Sequence, residues 1–292
     1  MAAERGPILG VRGAVLLALL LAGVWSYGYL DLSLGELMPG SGGLKVAREF
    51  FSRALTPAMR SEADFVPPGT PPLLQNALFS AWQTLLFAGS AMGLALLLGL
   101  CLGFICSSAW WAGSLSGGRS RVGRSLRRTV SPALYTSARV LIALMRSIHE
   151  ILWALLFLSA FGRNNLAALF AIAIPFGGTL AKIFSEIVDE TPRDASKALQ
   201  SAGAGPAQVF FIGLIPRAAP DMIAYSFYRF ECALRASAIL GFFGFPTLGL
   251  YIRQSFRSAN YGEVWTYLYV LFAVIILFDL WSGAVRKRLV SR

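Results

Sequence analysis

The stretch TPRDASKALQSAGAGPAQVFFIGLIP, residues 191–216, lies between two long apolar runs and yet carries the signals of a soluble helical hairpin. Thr191 fits an N-cap, Pro192 the first helical position, and Asp194, three residues after the cap, completes a capping-box-like pattern. Ala195, Ala198, Leu199 and Ala202 follow at i, i+3, i+4 and i+7, which predicts an apolar stripe with Arg193, Lys197 and Gln200 turned away from it. Gly203-Ala204-Gly205 ends that helix, and Pro206 opens another that runs through Val209-Phe210-Phe211-Ile212 to a stop at Pro216. On pattern alone the hairpin reads as a surface element lying on a bilayer.

The bilayer is implied by everything around the hairpin. Of the 292 residues, 56% are hydrophobic and 14% charged, and the mean hydropathy is +0.61, far from the balance of soluble domains. A span needs about 20 predominantly apolar residues. Six windows qualify, at 9–30, 77–106, 134–161, 165–187, 218–251 and 264–283, so the expectation is an all-α integral membrane protein of six transmembrane helices. The amino-terminal run resembles a signal peptide, but it continues to Leu30 with no small-x-small cleavage site after it, and it reads as a retained first span.

Short basic loops are cytoplasmic. Residues 107–133 hold Arg119, Arg121, Arg124, Arg127 and Arg128 with no acid, and the tail after Trp281 holds Arg286, Lys287, Arg288 and Arg292. With six spans the amino end, bearing Arg5 and Arg12, falls on the same side. Both termini and the 191–216 hairpin are therefore expected in the cytoplasm. The Gly- and Pro-rich stretch 31–76, the turn Gly162-Arg163-Asn164-Asn165 and the segment near 252–263 are expected outside. The chain divides on this reading into residues 1–76, a first helix with its extracytoplasmic loop, and 77–292, five helices with a cytoplasmic loop over 187–217.

Several function classes are excluded. The net charge of +11 sits at the ends of apolar runs and not along a face with interleaved aromatics, which argues against nucleic acid. Cys101, Cys106 and Cys232 are odd in number, lie in apolar segments and show no C-x-x-C spacing, so neither a disulfide framework nor a zinc site is indicated. His149 is the only histidine, and no G-x-x-x-x-G-K-[ST] loop is present. No catalytic, metal or cofactor site is expected, and ATP chemistry would belong to another chain.

Ionisable residues inside the windows fall in two groups: Arg146, His149 and Glu150 in the third, and Arg229, Glu231 and Arg235 in the fifth. A charge at the bilayer centre costs about 2.5–3.5 kcal/mol on insertion scales, so such residues face protein or a water-filled cavity. Arg146 with Glu150 and Glu231 with Arg235 stand at i, i+4, where pairing on one helix lowers that cost. Structural pairing and the lining of a polar passage both fit them. The surplus arginine would favour an anion.

The spacing ALQSAGAGPAQVFFIGLIP resembles the "EAA" loop of bacterial ABC importer permeases, with Ala198 at the middle alanine, Gly203 at the glycine, and Ile215 and Pro216 at the closing Ile-x-Leu-Pro. Lys197 and Leu199 depart from the pattern at its start. RSIHEILWALLF, FSEIVDETPRDASKAL and YRFECALRASAILGFFG together resemble the permease subunit of phosphonate ABC importers, from residue 77 onward. The resemblance implies a type I permease fold and a non-catalytic transport subunit in the bacterial inner membrane. It implies as partners a pair of ATP-binding cassette subunits, an extracytoplasmic substrate-binding protein, a second permease (the same chain or a paralogue) and membrane lipid. Ala198, Gly203, Gly205, Ile215 and Pro216 would then couple the chain to its ATPase, and Arg146, His149, Glu150, Arg229, Glu231, Arg235, Gly244 and Pro246 would line or gate the passage. Where the family has G-x-x-G-A-G-G-I-G, this chain has Gly241–Gly249 as GFFGFPTLG, and the bulkier residues are expected to narrow or reshape the gate. Gly89, Gly93, Gly99 and Gly103 form two small-xxx-small pairs, suited to close contact within the chain or between two chains. Two other functions fit the composition: a stand-alone secondary transporter, and an intramembrane lipid-modifying enzyme using His149 and Glu150 as acid and base.

Overall fold

The computed structural model describes residues 10–31, 35, 40–63, 65, 68–115 and 121–290, and among these every regular element is helical. Arg5, Arg119 and Arg292, which enter the charge argument for topology, lie outside the described residues. The chain forms two units, Met1–Leu55 and Thr56–Arg292. The first holds α1 (Val11–Tyr29) and α2 (Ser41–Ser52). Along α1, Leu16, Leu20, Val24 and Trp25 are all exposed; an apolar helix left bare in this way suits lipid.

The second unit holds α3 (Leu73–Cys106), α4 (Ser108–Leu115), α5 (Arg121–Ser147), α6 (Glu150–Phe161), α7 (Asn165–Glu190), α8 (Asp194–Ser201), α9 (Pro206–Gln208), α10 (Ile215–Ile239), α11 (Leu248–Arg257) and α12 (Tyr261–Val290). Helices α3, α7 and α12 are each long and apolar enough to cross a membrane. The third and fifth windows are broken: the α5–α6 pair is bent by 93°, and the segment Pro206–Phe243 meets α11 at 50°. Among the described residues length and composition thus support three straight spans, or five if each bent pair is one span, against the six expected, and α1 is a shorter apolar helix.

Burial in α3 follows side-chain size. Ala77, Ala81, Ala88, Ala91 and Ala95 are at most 4% exposed, while Leu78, Trp82, Leu86, Leu97 and Leu100 on the same helix are bare. Small residues let helix backbones close on one another, whereas a large apolar side chain gains nothing by leaving lipid for protein. Gly99 and Gly103 belong to the packed side: a Cβ on Gly99 would stand 2.7 Å from Leu180 Cβ, and one on Gly103 would stand 3.1 Å from Ala181 O, both on α7. Around Gly89 and Gly93 the space is open. One of the two small-xxx-small pairs is therefore spent inside the chain. In return α7 presents Gly177 to Leu98 of α3 and Gly178 to Met145 of α5.

In the first turn of α12 a buried carboxylate ties the non-helical segment after Leu55 to the α11–α12 turn. Glu263, 7% exposed, accepts from Ser61 Oγ at 2.7 Å, from the Glu62 N–H at 2.7 Å and from Ser255 Oγ at 2.7 Å. Thr266 Oγ1 donates to Ala58 O at 2.6 Å beside it. Removing the acceptor strands all three donors, so Glu263→Ala is expected to destabilise this corner by roughly 2–4 kcal/mol. Limited proteolysis of the solubilised protein checks this: cleavage within residues 56–63 should rise several-fold, and an unchanged cleavage pattern would contradict the anchoring role.

Candidate functional site

The 191–216 hairpin forms, with its boundaries shifted. Thr191 belongs to the preceding helix: its N–H donates to Ile187 O at 3.1 Å and its Oγ1 to the same oxygen at 2.7 Å. The residue before a proline is driven out of the helical region, and Thr191 accordingly has ψ 132°. It caps the end of α7, and the expected capping box is absent; Arg193 stands at the N-cap of α8 with no side-chain cap bond. The buried side of α8 is Ser196, with Ala195 and Leu199 half-buried, whereas Ala198 and Ala202 face outward with Lys197. The stripe is rotated because Gly213 offers a slot: a Cβ there would lie 3.0 Å from Ser196 Oγ and 3.1 Å from Leu199 Cδ1.

Helix α8 closes in a Schellman motif. The Gly203 N–H donates to Gln200 O at 2.9 Å and the Ala204 N–H to Leu199 O at 3.0 Å, with Gly203 at φ +86°. The Gly205 N–H donates to Gln208 Oε1 at 2.9 Å, and Pro206 starts the next turn. The expected stop at Pro216 does not occur. Val209–Leu214 is a π-helical turn that runs directly into α10, with Ile215 half-buried and Pro216 exposed. Proline lacks an N–H and crowds the carbonyl four residues back; the wide turn just before it absorbs both.

The hairpin is fastened to its surroundings. Phe210 packs edge-on against Phe104 of α3 at 5.2 Å and Trp110 of α4 at 5.3 Å between ring centroids. Asp189, at the end of α7, accepts from Ser107 Oγ at 2.8 Å and from the Ser108 and Ala109 N–H groups at 3.0 Å each, which caps α4. Arg217 Nη1 donates to Pro192 O at 3.4 Å.

The ionisable residues of the third window do not share a helix. Arg146 lies at the end of α5 and Glu150 opens α6 beyond the 93° bend. The expected Arg146–Glu150 pair is replaced by His149 Nε2 to Glu150 Oε2 at 3.4 Å, while His149 Nδ1 accepts from the Ile151 N–H and caps α6. The Glu231–Arg235 pair is present at 3.1 Å on one face of α10. Arg229 turns elsewhere: its guanidinium lies 4.5 Å from the centroid of the Phe176 ring on α7.

Span five breaks around Leu240–Phe243, a 3₁₀ turn closed by Gly244 at φ +90°. Two arginines in segments that the sequence reading placed only on the outer side hold the exposed carbonyls: Arg163 Nη1 donates to Gly244 O at 3.0 Å and Arg253 Nη1 to Phe242 O at 2.7 Å. Thr84 of α3 was also missed. Its Oγ1 donates to Ser80 O at 2.7 Å and accepts from the Leu248 N–H, the first donor of α11, at 3.1 Å. A hydroxyl every third or fourth position in an otherwise apolar helix, Ser80 then Thr84, was the available signal. Phe245, 3% exposed, packs on Phe87 at 5.5 Å between centroids, and Thr247 Oγ1 donates to Ala238 O at 3.1 Å. Pro246 alone of the three bulky replacements is exposed.

The profile of the binding-protein-dependent transport system inner membrane components matches residues 109–292. Over 165 residues the chain is 33% identical to the phosphate-import permease protein PhnE of Mycolicibacterium smegmatis, covering 56% of this chain and 31% of that one. Over 156 residues it is 31% identical to the phosphite transport system permease protein PtxC of Stutzerimonas stutzeri, covering 53% and 57%. The chain thus spans between about a third and three-fifths of these relatives' lengths. Among solved structures it is similar to a chain of the MetNI methionine ABC transporter in an inward-facing conformation, with a TM-score of 0.61 at 17% identity over 75% of this chain and 99% of that one. It is also similar to a chain of an amino acid ABC transporter, with a TM-score of 0.58 at 19% identity over 73% and 94%. These likenesses establish the all-α fold of ABC importer permeases. Since the family profile covers well over half of the sequence, this chain belongs to the binding-protein-dependent transport system inner membrane components.

Proposed function

We propose that the chain is the permease subunit of an ATP-driven importer for a phosphonate or a related phosphorus oxyanion. The ligand class rests on the relatives named for phosphate and phosphite transport. The mechanism rests on one observation: α8 is seated on Gly213, at the base of the same helical run that breaks near Gly244. A push on the exposed Ala198 and Lys197 side of α8 travels through the π turn at Val209–Leu214 into Ile215, Pro216 and α10, and so reaches the break. A pair of ATP-binding cassette subunits supplies the push. An extracytoplasmic binding protein delivers the ligand, and a second permease, this chain or a paralogue, completes the passage within the membrane lipid.

The basic residues of 107–133, most of them in the first turns of α5, and those after Trp281 support cytoplasmic termini and a cytoplasmic hairpin. The chain performs no catalysis; Gly203 and Gly205 keep the lever stiff, and the passage binds its ligand weakly so that it can leave. Reconstitution in proteoliposomes tests the reading. ATP-dependent uptake of methylphosphonate or phosphite is expected only when the ATPase pair and loaded binding protein are both present. Transport by the chain alone under an ion gradient would replace this reading with a secondary transporter, and turnover of lipid by the chain alone would replace it with an enzyme.

A further inference from the structure

Helix α7 has 26 residues, and Phe176 and Gly178 stand at its middle. Two guanidinium-bearing side chains from different helices pack against α7 there. The guanidinium carbon of Arg229 on α10 lies over Phe176, 4.5 Å from the ring centroid. Arg146, from the end of α5, runs its stem along α7, so that a Cβ on Gly178 would stand 3.1 Å from Arg146 Cγ. Tyr225, one turn before Arg229 on α10, is within electrostatic reach of both arginines.

The acids that could neutralise this pair are engaged elsewhere. Glu150 is held by His149 at 3.4 Å and Glu231 by Arg235 at 3.1 Å. Among the described residues neither Arg146 nor Arg229 has a carboxylate within ion-pair distance, and Arg229 Nε is buried with no hydrogen-bond partner. Two uncompensated cations halfway along a spanning helix are not tolerated for packing alone. The attraction of the Phe176 ring holds the Arg229 guanidinium without using its N–H donors.

We infer that Arg146, Arg229 and Tyr225 form a mid-membrane station for a small dianionic oxyanion, which passes from the outer half of the passage to the inner half by way of two guanidinium forks and a phenol hydroxyl. This rests on the transport function proposed above and specifies its ligand: tetrahedral, with at least two charged oxygens and no ammonium group near them. Tyr225 hydroxyl donates to one oxygen and the two forks share the others. Two open forks without a surrounding cage hold the anion loosely enough for release. Arg235, paired with Glu231, is not part of the station.

The test uses the assembled complex with its ATPase pair and binding protein. In proteoliposomes Arg229→Gln and Arg146→Gln are each expected to lower methylphosphonate uptake at least ten-fold, with Arg229→Lys keeping an intermediate rate because it retains the charge and loses the fork. Co-purification of each variant with the ATPase reports folding. The direct readout is phosphorus NMR of methylphosphonate added to the solubilised complex without binding protein: line broadening by the unaltered complex should disappear in the Arg146→Gln, Arg229→Gln double variant. Equal broadening by both, unaltered uptake in the double variant, or loss of co-purification in step with loss of uptake in every variant, Arg229→Lys included, would overturn the station. Failure of the unaltered complex to carry methylphosphonate, phosphite or phosphate would instead overturn the underlying transport assignment.

Discussion

Gly241→Val should leave almost no folded protein in the membrane. A Cβ at Gly241 would run into the backbone nitrogen of Leu250 and stand 2.5 Å from the carbonyl carbon of Gly249. The reciprocal contact is as close: a Cβ at Gly249 would run into the carbonyl oxygen of Ala238. Both obstacles are backbone, so no rotamer change relieves them. Overpacked cores with movable side chains already lose about 1–3 kcal/mol; here the 3₁₀ turn and α11 must separate, which also pulls the Leu248 N–H from Thr84 and the Thr247 hydroxyl from Ala238 O. A loss above roughly 4 kcal/mol is expected, in the range reserved for severe core defects. Membrane yield and a monodisperse peak on size exclusion should fall at least five-fold for Gly241→Val and Gly249→Val alike, with Gly89→Val, whose Cβ meets nothing, as the neutral control. Wild-type yield and melting temperature in Gly241→Val would show that the two backbones do not in fact touch.

That contact also explains which residues the family's glycine-rich pattern can lose. Gly241 and Gly249 are retained and are the two whose neighbours are backbone. The replacements at Phe245 and Thr247 are buried and bonded, where a longer side chain fills space between α3 and the break. From the sequence the whole GFFGFPTLG run read as a gate made bulkier; glycine and phenylalanine differ there according to which neighbour each meets, Gly241 and Gly249 meeting the backbone of Leu250 and Ala238 at the two ends of the run and Phe245 meeting Phe87 of α3.

The spans were legible because twenty apolar residues are a long, redundant signal, and the hairpin was legible because a left-handed turn demands glycine at 203. The 93° bend was not. No proline or glycine marks Ser147-Ile148-His149, and the residue that admits Met145 and Arg146 against α7 just before the break is the distant Gly178. Missing it produced the false Arg146–Glu150 pair, since i, i+4 spacing counts only along an unbroken helix. Thr191 was misassigned for a related reason: a threonine hydroxyl serves the end of one helix as well as the start of the next, and only the carbonyl of Ile187 decides. The π turn at Val209–Leu214 has no sequence signature beyond the proline that follows it.

The hairpin supports a prediction opposite in kind to that for Gly241. Gly203→Val should insert and accumulate normally yet lose ATP-driven uptake at least ten-fold. Nothing lies within 4 Å of a Cβ at Gly203, so the substitution meets no neighbour. What it breaks is conformation: φ is +86°, and a β-branched residue held there costs about 1–3 kcal/mol, which shifts the population of the closed turn by roughly 5- to 150-fold. The turn escapes by opening, which releases the Gly203 and Ala204 N–H groups from Gln200 O and Leu199 O and frays the end of α8. Because Leu199 is also the residue seated on Gly213, the lever loosens where it meets the base of α10, and force applied at Ala198 is dissipated before it reaches the break at Gly244. Asparagine tolerates the left-handed region better than any β-branched residue, so Gly203→Asn should keep most of the uptake. Uptake is measured in proteoliposomes with the ATPase and binding protein present, alongside membrane yield. Full uptake by Gly203→Val would mean that the stiffness of this turn has no part in coupling, and a loss of yield matching the loss of uptake would place the defect in folding instead.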